Sequence, residues 1–327
     1  MNPEAKLVEN LFDPGIEQVP TRNGFGEGLL ELGKKDPRVW ALSADLTEST
    51  KALAFAEEFP QRFIEAGVAE QNMAGMACGL ALEGKIPFAC SFAVFSPGRN
   101  WDQIRVSICY SKANVKIASS HAGVSTGEDG ATHQALEDIA MMRALPDITV
   151  LAPCDAAETK KATVAAAECE GPVYLRFHRE KSPVFTALGT PFEIGKAEIF
   201  WRGKDATIIG CGPIVYEALM AAKELEAKGL SVAVMNCHTI KPIDVEAITR
   251  AAEETGAIVT AEEHQKYAGL GGAVAEVLVQ NCPVPVEMVA VNDTFGESGK
   301  AKELLAKYGL TRKEIKEAVL RVLQRKK

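Results

Sequence analysis

An α/β fold is predicted for this chain: a parallel sheet with helices on both faces, followed by a second, smaller α/β unit. Three observations carry the expectation. Short β-rich runs alternate with helical stretches from about residue 24 onward, the pattern of strand–helix–strand units whose crossovers cover both faces of a sheet. The chain has 327 residues, and at about 100–200 residues per domain this makes two domains, each large enough to bury a core. Glu180–Pro191 reads EKSPVFTALGTP, with two prolines, one glycine and no sustained periodicity, so it is expected to be a linker between domains spanning 1–190 and 191–327.

The first unit's strands are expected at Val39–Ser43, Phe63–Ala66, Ile86–Phe92, Val115–Ser119, Ile148–Leu151 and Val173–Phe177, each a short β-rich run. Helices lie between them. In Asp155–Cys169, Asp155 can cap, Ala, Thr and Lys favour helix, and Gly171–Pro172 stops it before the next strand. Another helix is expected to start near Gln134. Beyond the linker, strands are expected at Ala206–Cys211, Ser231–Asn236, Ile258–Ala261 and Val284–Val291, with helices near Val215–Lys228, Asp244–Thr255, Gly271–Val279 and Thr311–Arg325.

Composition narrows the function classes. The chain carries 36 Lys+Arg against 44 Asp+Glu, a net charge of −8 with no basic block, so the footprint of a nucleic-acid binder is missing. No run approaches the ~18–20 apolar residues of a membrane span. Met1–Asn10 carries Glu4, Lys6 and Glu9 with no apolar segment, unlike a secretory signal, and a cytoplasmic location is expected. The eight cysteines lie at least 12 positions apart, so no CxxC or zinc-type cluster exists and they are expected as small core residues in a reducing compartment. No repeat with a period of about 20–50 residues is found.

Three segments hold residues that could carry chemistry. SSHAGVSTGEDGATHQALED (residues 119–138) follows an apolar strand and so sits at a strand's carboxyl end, where open α/β sheets bind ligands. His121 and His133 bracket its core, Gly123, Gly127 and Gly130 permit sharp turns, and Asp129 is expected on an exposed turn; a solvated Asx turn would look the same. GVAEQNMAGMACGLALEG (Gly67–Gly84) places Glu70 in the first turn of a helix. A carboxylate there can simply answer the helix dipole, but Ala74, Gly75, Ala77 and Gly79 offer a flat face for close packing against another helix, which would carry Glu70 into the contact. In SFAVFSPGRNWDQIR, Phe92 and Phe95 end a strand beside a Pro-Gly turn and could form a stacking platform or belong to the core. Arg22, Arg176 and Arg179 could hold anions. GLGGAV falls short of GxGxxG and is expected as a close turn into a helix, GESGK lacks a Walker A glycine, and neither HExxH nor GxSxG occurs.

Four blocks resemble the C-terminal half of transketolase, in order: TRNGFGEGLLELGKKDPRVWALSADLTEST, GVAEQNMAGMACGLA, SHAGVSTGEDGATHQALEDIAMMRALPDITVLAPCD and NDTFGESGKAKELLAKYGLT. The resemblance covers nearly the whole chain and implies a thiamine-diphosphate pyrimidine-binding domain to about residue 190, followed by the family's C-terminal domain. It implies that Glu70 hydrogen-bonds N1′ of the aminopyrimidine and favours the imino form that takes up the thiazolium C2 proton. It further implies that Phe92 and Phe95 wall the pyrimidine, that Asp45 lies near the cofactor, and that Arg22, Ser49, His121 and Arg179 contact a sugar phosphate through charge-assisted donors. Asp129 would read the acceptor's C2 hydroxyl, and His133 would lie near the reacting carbons. Between two neighbouring arginines, Arg179 is preferred to Arg176 for the phosphate.

The sequence departs from the full-length family in two places. It contains no GDG, the motif that binds Mg²⁺ and diphosphate in the family's other half, so no metal ligand is assigned to this chain. The resemblance implies an N-terminal partner subunit carrying GDG, in an assembly with two copies of each chain around a self-associated core. Gly98, Arg99 and Asn100 also replace the usual aromatic continuation beside the pyrimidine wall. Ketol transfer between sugar phosphates is the expected activity. The alternatives are a deoxyxylulose-phosphate synthase or a 2-oxoacid dehydrogenase β subunit, both of which would release CO₂, and a non-catalytic partner protein.

Overall fold

The computed structural model describes residues 1–326. Seven strands form the first sheet, in the spatial order Thr239–Lys241, Thr149–Leu151, Val173–Arg176, Lys116–Ser120, Ile86–Phe92, Val39–Ser43 and Phe63–Glu65. Every pairing is parallel except that of the edge strand Thr239–Lys241. Ile86–Phe92, apolar except for Ser91, is buried at all seven positions, as expected of a strand with helices over both faces. The second sheet has five strands in the order Val286–Val291, Ile258–Gln265, Ala206–Gly210, Val232–Asn236 and Glu198–Trp201, with only the last pairing antiparallel. The mixed α/β architecture with parallel sheets therefore holds.

The interior explains where the two units meet. Thr239–Lys241 comes from the second half of the chain yet completes the first sheet, while Ala5, Leu11 and Ile16 join Phe200, Trp201, Tyr216 and Val319 in the second unit's core. Each unit thus lends a segment to the other. Arg176 lies at the seam. Its guanidinium is 1% exposed, donates through Nε to Asp138 at 2.7 Å and through Nη2 to the Glu263 carbonyl at 2.8 Å.

Glu180–Pro191 is not the free linker its composition implies. Lys181–Pro183 is a strand paired with Gln18–Pro20, Phe185 is fully buried, and Asp155 accepts hydrogen bonds from the Phe185 and Thr186 amides at 2.8 and 2.6 Å. The same carboxylate also accepts from the Glu158 amide at 2.8 Å, so Asp155 caps its helix as expected and clamps the connection too. The helix expected near Gln134 begins instead at Asp138. Gln134 is committed to loop closure, donating to the carbonyls of Val124, Gly127 and Glu297 at 3.2, 3.1 and 2.9 Å. Among the described residues no helix is long and apolar enough to cross a membrane.

Candidate active site

The loop after Lys116–Ser120 forms a tight turn over Val124–Asp129 at the carboxyl end of the first sheet. Gly123, Gly127 and Gly130 have φ of 79°, 84° and 77°, values natural to glycine. Glu263 accepts the Ser125 amide at 2.6 Å, and Thr126 Oγ1 donates to the His121 carbonyl at 2.8 Å. The turn is thus held on both sides, with Asp129 at its exposed end.

A cavity of about 470 Å³ opens here, lined by Arg22, Glu48, Ser49, Lys51, Phe92, His121, Asp129, His133 and Arg179. Its residues come from well-separated chain segments. Arg22 Nη1 donates to the Ser49 carbonyl at 2.9 Å, while its Nε is buried with no protein partner. Arg179 Nη1 donates to Asp129 Oδ2 at 2.7 Å and to the Thr126 carbonyl at 3.1 Å. Burial, and then the neighbouring Arg179 charge, lower the Arg22 pKa from its ordinary value. Such a surplus of cationic donors, one of them unpartnered, suits an anion. Arg176 takes no part, being committed to Asp138.

His121 is 3% exposed and adopts the left-handed φ of 59°, a sparsely populated conformation for a residue with a side chain. Its ring stacks on Phe92 with centroids 3.6 Å apart, and its Nδ1 lies 2.8 Å from Ser120 Oγ. Burial and then Arg22, Arg179 and His133 push its pKa down to about 3. A neutral ring that accepts the Ser120 hydroxyl at Nδ1 carries its proton on Nε2.

Buried histidines make acid stability measurable. His238 is also held at about 3 by burial, and His178 well below its usual range by burial and then Arg176. The folded state refuses protons that the unfolded chain accepts below pH 6.5, so the stability these groups contribute is full above that pH and drains as pH falls toward their folded values. Glu158 and Glu263 act oppositely. Burial raises both from 4.5 to about 7, so their stabilisation is full below pH 4.5 and is lost as pH rises through 7. Between these limits three imidazoles outweigh two carboxyls by one proton, a slope of about 1.4 kcal/mol per pH unit; below pH 4.5 the imidazoles act alone, at about 4 kcal/mol per pH unit for three groups at ~1.4 each. Urea unfolding should give a midpoint modestly lower at pH 5 than at pH 6 and a collapse by about pH 3.5–4; a midpoint maintained through that range would contradict the assignment.

Glu70 stands in a second opening, with Val68, Ala69, Gln71, Asn72 and Arg99. It begins the helix Glu70–Leu82, whose N-cap is Ala69 with no side-chain capping bond. The hydrogen bond that the Glu70 carboxylate accepts comes from Arg99 rather than from a backbone amide of its helix. Glu70 is only 3% exposed, and its Oε1 meets Arg99 Nη1 at 3.3 Å. Phe95 stacks on Phe92 at 5.8 Å and meets His133 edge-on at 5.2 Å, while Arg99 lies over the Phe95 ring at 4.2 Å. Glu70, Arg99, Phe95, Phe92 and His121 thus form one unbroken row from this opening to the anion cavity.

One expectation needs correction. The small residues of the Glu70 helix do not share a face: Ala74 and Ala77 are buried in the chain's own core, whereas Gly75 and Gly79 are exposed with open space before them. At 100° per residue positions 75 and 79 point away from 74 and 77, and the exposed pair lies on a helix preceded by Val68 and ending at Leu82, 69% and 67% exposed. Asp45 lies outside the residues that line the anion cavity. It is exposed, with φ of 60°, and its amide donates to Glu65 Oε1 at 2.7 Å, the same carboxylate oxygen that accepts from the Gly67 amide at 3.0 Å. That bond ties its turn to the segment leading into Glu70. Lys51 and Glu48 line the cavity without any sign of it in the sequence; a charge in the run LTESTK carries no signal that separates it from an ordinary solvated side chain.

Two α/β units thus bring a buried carboxylate, an aromatic stack and a cationic cavity to the carboxyl ends of parallel strands, where open α/β sheets bind ligands. Residues 17–184 match the family "Transketolase, pyrimidine binding domain" and residues 195–315 match "Transketolase, C-terminal domain", and the chain belongs to the transketolase family. It is 42% identical over 96% of its length to the 6-deoxy-6-sulfo-D-fructose transketolase subunit SqwH of Clostridium sp. (strain MSTE9), covering 98% of that protein. It is 40% identical over 94% of its length to an apulose-4-phosphate transketolase subunit of Phocaeicola vulgatus, again covering 98%. Among solved structures, one described as a split gene transketolase, inactive beta4 tetramer, superposes with a TM-score of 0.89 at 49% identity, over 94% of this chain and 100% of that one.

Proposed function

We propose that this chain is the C-terminal subunit of a two-subunit transketolase that moves a two-carbon ketol unit from a ketose phosphate to an aldose phosphate, with residues 1–190 as its pyrimidine domain and 191–327 as its C-terminal domain. The convergence of Arg22, Ser49, His121 and Arg179 on one cavity beside the Phe92–Phe95 stack is the observation that carries the reading. Bound thiamine diphosphate would supply the electron sink that allows a carbon–carbon bond beside a carbonyl to break. The residues present fit its ring: Glu70 is a buried carboxylate with no capping bond, and Phe92 and Phe95 present parallel aromatic faces nearby.

Within this reading Glu70 holds a proton at N1′ of the aminopyrimidine, Phe92 and Phe95 orient the ring, and Asp45 stands beside the cofactor. Arg22, Arg179 and the Ser49 side chain grip the far end of the sugar, with His121 donating from Nε2. Asp129 reads the acceptor's C2 hydroxyl from its place against Arg179, and His133 is placed to move protons at the reacting carbons. Mg²⁺ and the diphosphate fall to an N-terminal subunit carrying GDG, in a complex with two copies of each chain that works in the cytoplasm. The exposed Gly75 and Gly79 suit the close helix contact of a self-associated core. The names of two relatives carry a sulfonated and a phosphorylated sugar, so an anion at the distal end is common ground while the particular sugar differs.

The clamp has a direct test. His121→Ala or Arg179→Ala should raise KM for a ketose phosphate by about tenfold to a hundredfold, the equivalent of ~1.5–3 kcal/mol for a hydrogen bond to a charged group. A free hydroxyketone donor should be nearly indifferent. The assay compares both donors in the reconstituted complex. Equal losses on the two donors would mean that these residues shape the cavity rather than grip the anion.

A further inference from the structure

We infer that Arg99 is a built-in placeholder for the aminopyrimidine ring, occupying Glu70 and the Phe95 face until the cofactor displaces it. The inference rests on the proposed role of Glu70. A guanidinium is flat, cationic and rich in N–H donors, so it can hydrogen-bond a carboxylate and lie on an aromatic face at once. Arg99 makes both contacts, at 3.3 Å to Glu70 Oε1 and 4.2 Å above the Phe95 ring. A ring that donated from N1′ to Glu70 while packing on the same aromatic wall would need both places.

The backbone is built to deliver this side chain. Asn100 Nδ2 donates to the Glu70 carbonyl and to Ser96 Oγ, both at 3.2 Å, and the Arg99 amide donates to the Phe95 carbonyl at 2.8 Å. A Cβ on Gly98 would come within 2.0 Å of the Val94 carbonyl oxygen, so the turn requires glycine there. The side chain itself is free to leave, since it is 52% exposed while Glu70 is 3% exposed. Arg99 also gives Glu70 a counter-ion, and a buried carboxylate with neither cap nor counter-ion is costly. Gly98, Arg99 and Asn100, which break the family's aromatic continuation, thus form one unit.

Displacing the placeholder opposes cofactor binding, and removing it should strengthen binding. Thiamine diphosphate with Mg²⁺ is titrated calorimetrically into the complex of this chain with its N-terminal subunit, in wild type, Arg99→Ala and Arg99→Gln. Arg99→Gln keeps the stem and an amide donor without the charge, which guards against a folding defect in the alanine variant. Both variants should bind about three- to tenfold more tightly, and the gain should vanish when Glu70→Gln is already present. Equal or weaker binding in both variants overturns the inference, as does a gain that persists without the Glu70 carboxylate. The C2-proton exchange of the bound cofactor separates the two layers. If Glu70→Gln leaves exchange unchanged, the role of Glu70 fails and the placeholder with it; if exchange falls but neither Arg99 variant binds more tightly, only the placeholder fails.

Discussion

Glu70→Gln or Glu70→Ala should slow exchange of the thiazolium C2 proton in the assembled complex by about 10²–10⁴-fold, the range of general acid–base catalysis, with ketol transfer falling in parallel. The fold should survive. Glu70 makes no side-chain capping bond, so its loss removes no cap, and the exposed Arg99 side chain can return to water. Glutamine keeps the shape and one hydrogen bond but cannot hold a proton at N1′, which separates proton transfer from packing. Exchange followed by NMR in deuterated buffer, with thermal unfolding of the same samples, gives both readouts. Undiminished exchange in the glutamine variant would leave Glu70 with a structural role only.

The second large effect is all-or-none. This chain alone should show no ketol transfer, and mixing it with a GDG-bearing subunit should restore turnover that saturates at one copy of each chain. The sequence lacks GDG, the motif that the resemblance assigns to Mg²⁺ and the diphosphate. A relative of the same span is described as a split gene transketolase, inactive beta4 tetramer. Turnover by this polypeptide alone, in the absence of any other protein, would sink the proposal.

The strands that can be read in advance are those whose burial leaves a one-dimensional trace. Val39–Ser43 and Ile86–Phe92 lie where expected to the residue, because a strand covered on both faces is a near-continuous apolar run. Gln18–Pro20, Lys181–Pro183, Glu198–Trp201 and Thr239–Lys241 leave no such trace. Each is three or four residues long and lies at a sheet edge or in a two-stranded ribbon, where proline, lysine and glutamate are tolerated and no periodicity develops. Asp155 shows the same limit: its capping bond to Glu158 is local and legible, whereas its clamp on Phe185 and Thr186 depends on residues about thirty positions away.

The site divides along similar lines. GEDGATH announces a ligand loop because its glycines and charged residues have no place in a regular element, and the structure puts His121, Asp129 and His133 around one cavity with Arg22, Ser49 and Arg179. Burial separates Arg176 from Arg179: three residues apart, one is sealed against Asp138 and the other faces the cavity. Arg99 is visible in the sequence only as a departure from the family pattern. Its meaning lies in a contact across 29 positions with Glu70, which depends on the turn that Gly98 permits.

The central claim is that the chain holds half of a thiamine diphosphate site. The most direct test is equilibrium binding of thiamine diphosphate with Mg²⁺ to this chain, to the N-terminal subunit, and to their equimolar mixture. Tight binding is predicted for the mixture alone, with two cofactors per complex of two copies of each chain and loss of the imino circular-dichroism signal in Glu70→Gln. Tight, Mg²⁺-dependent binding by this chain without its partner would contradict the claim.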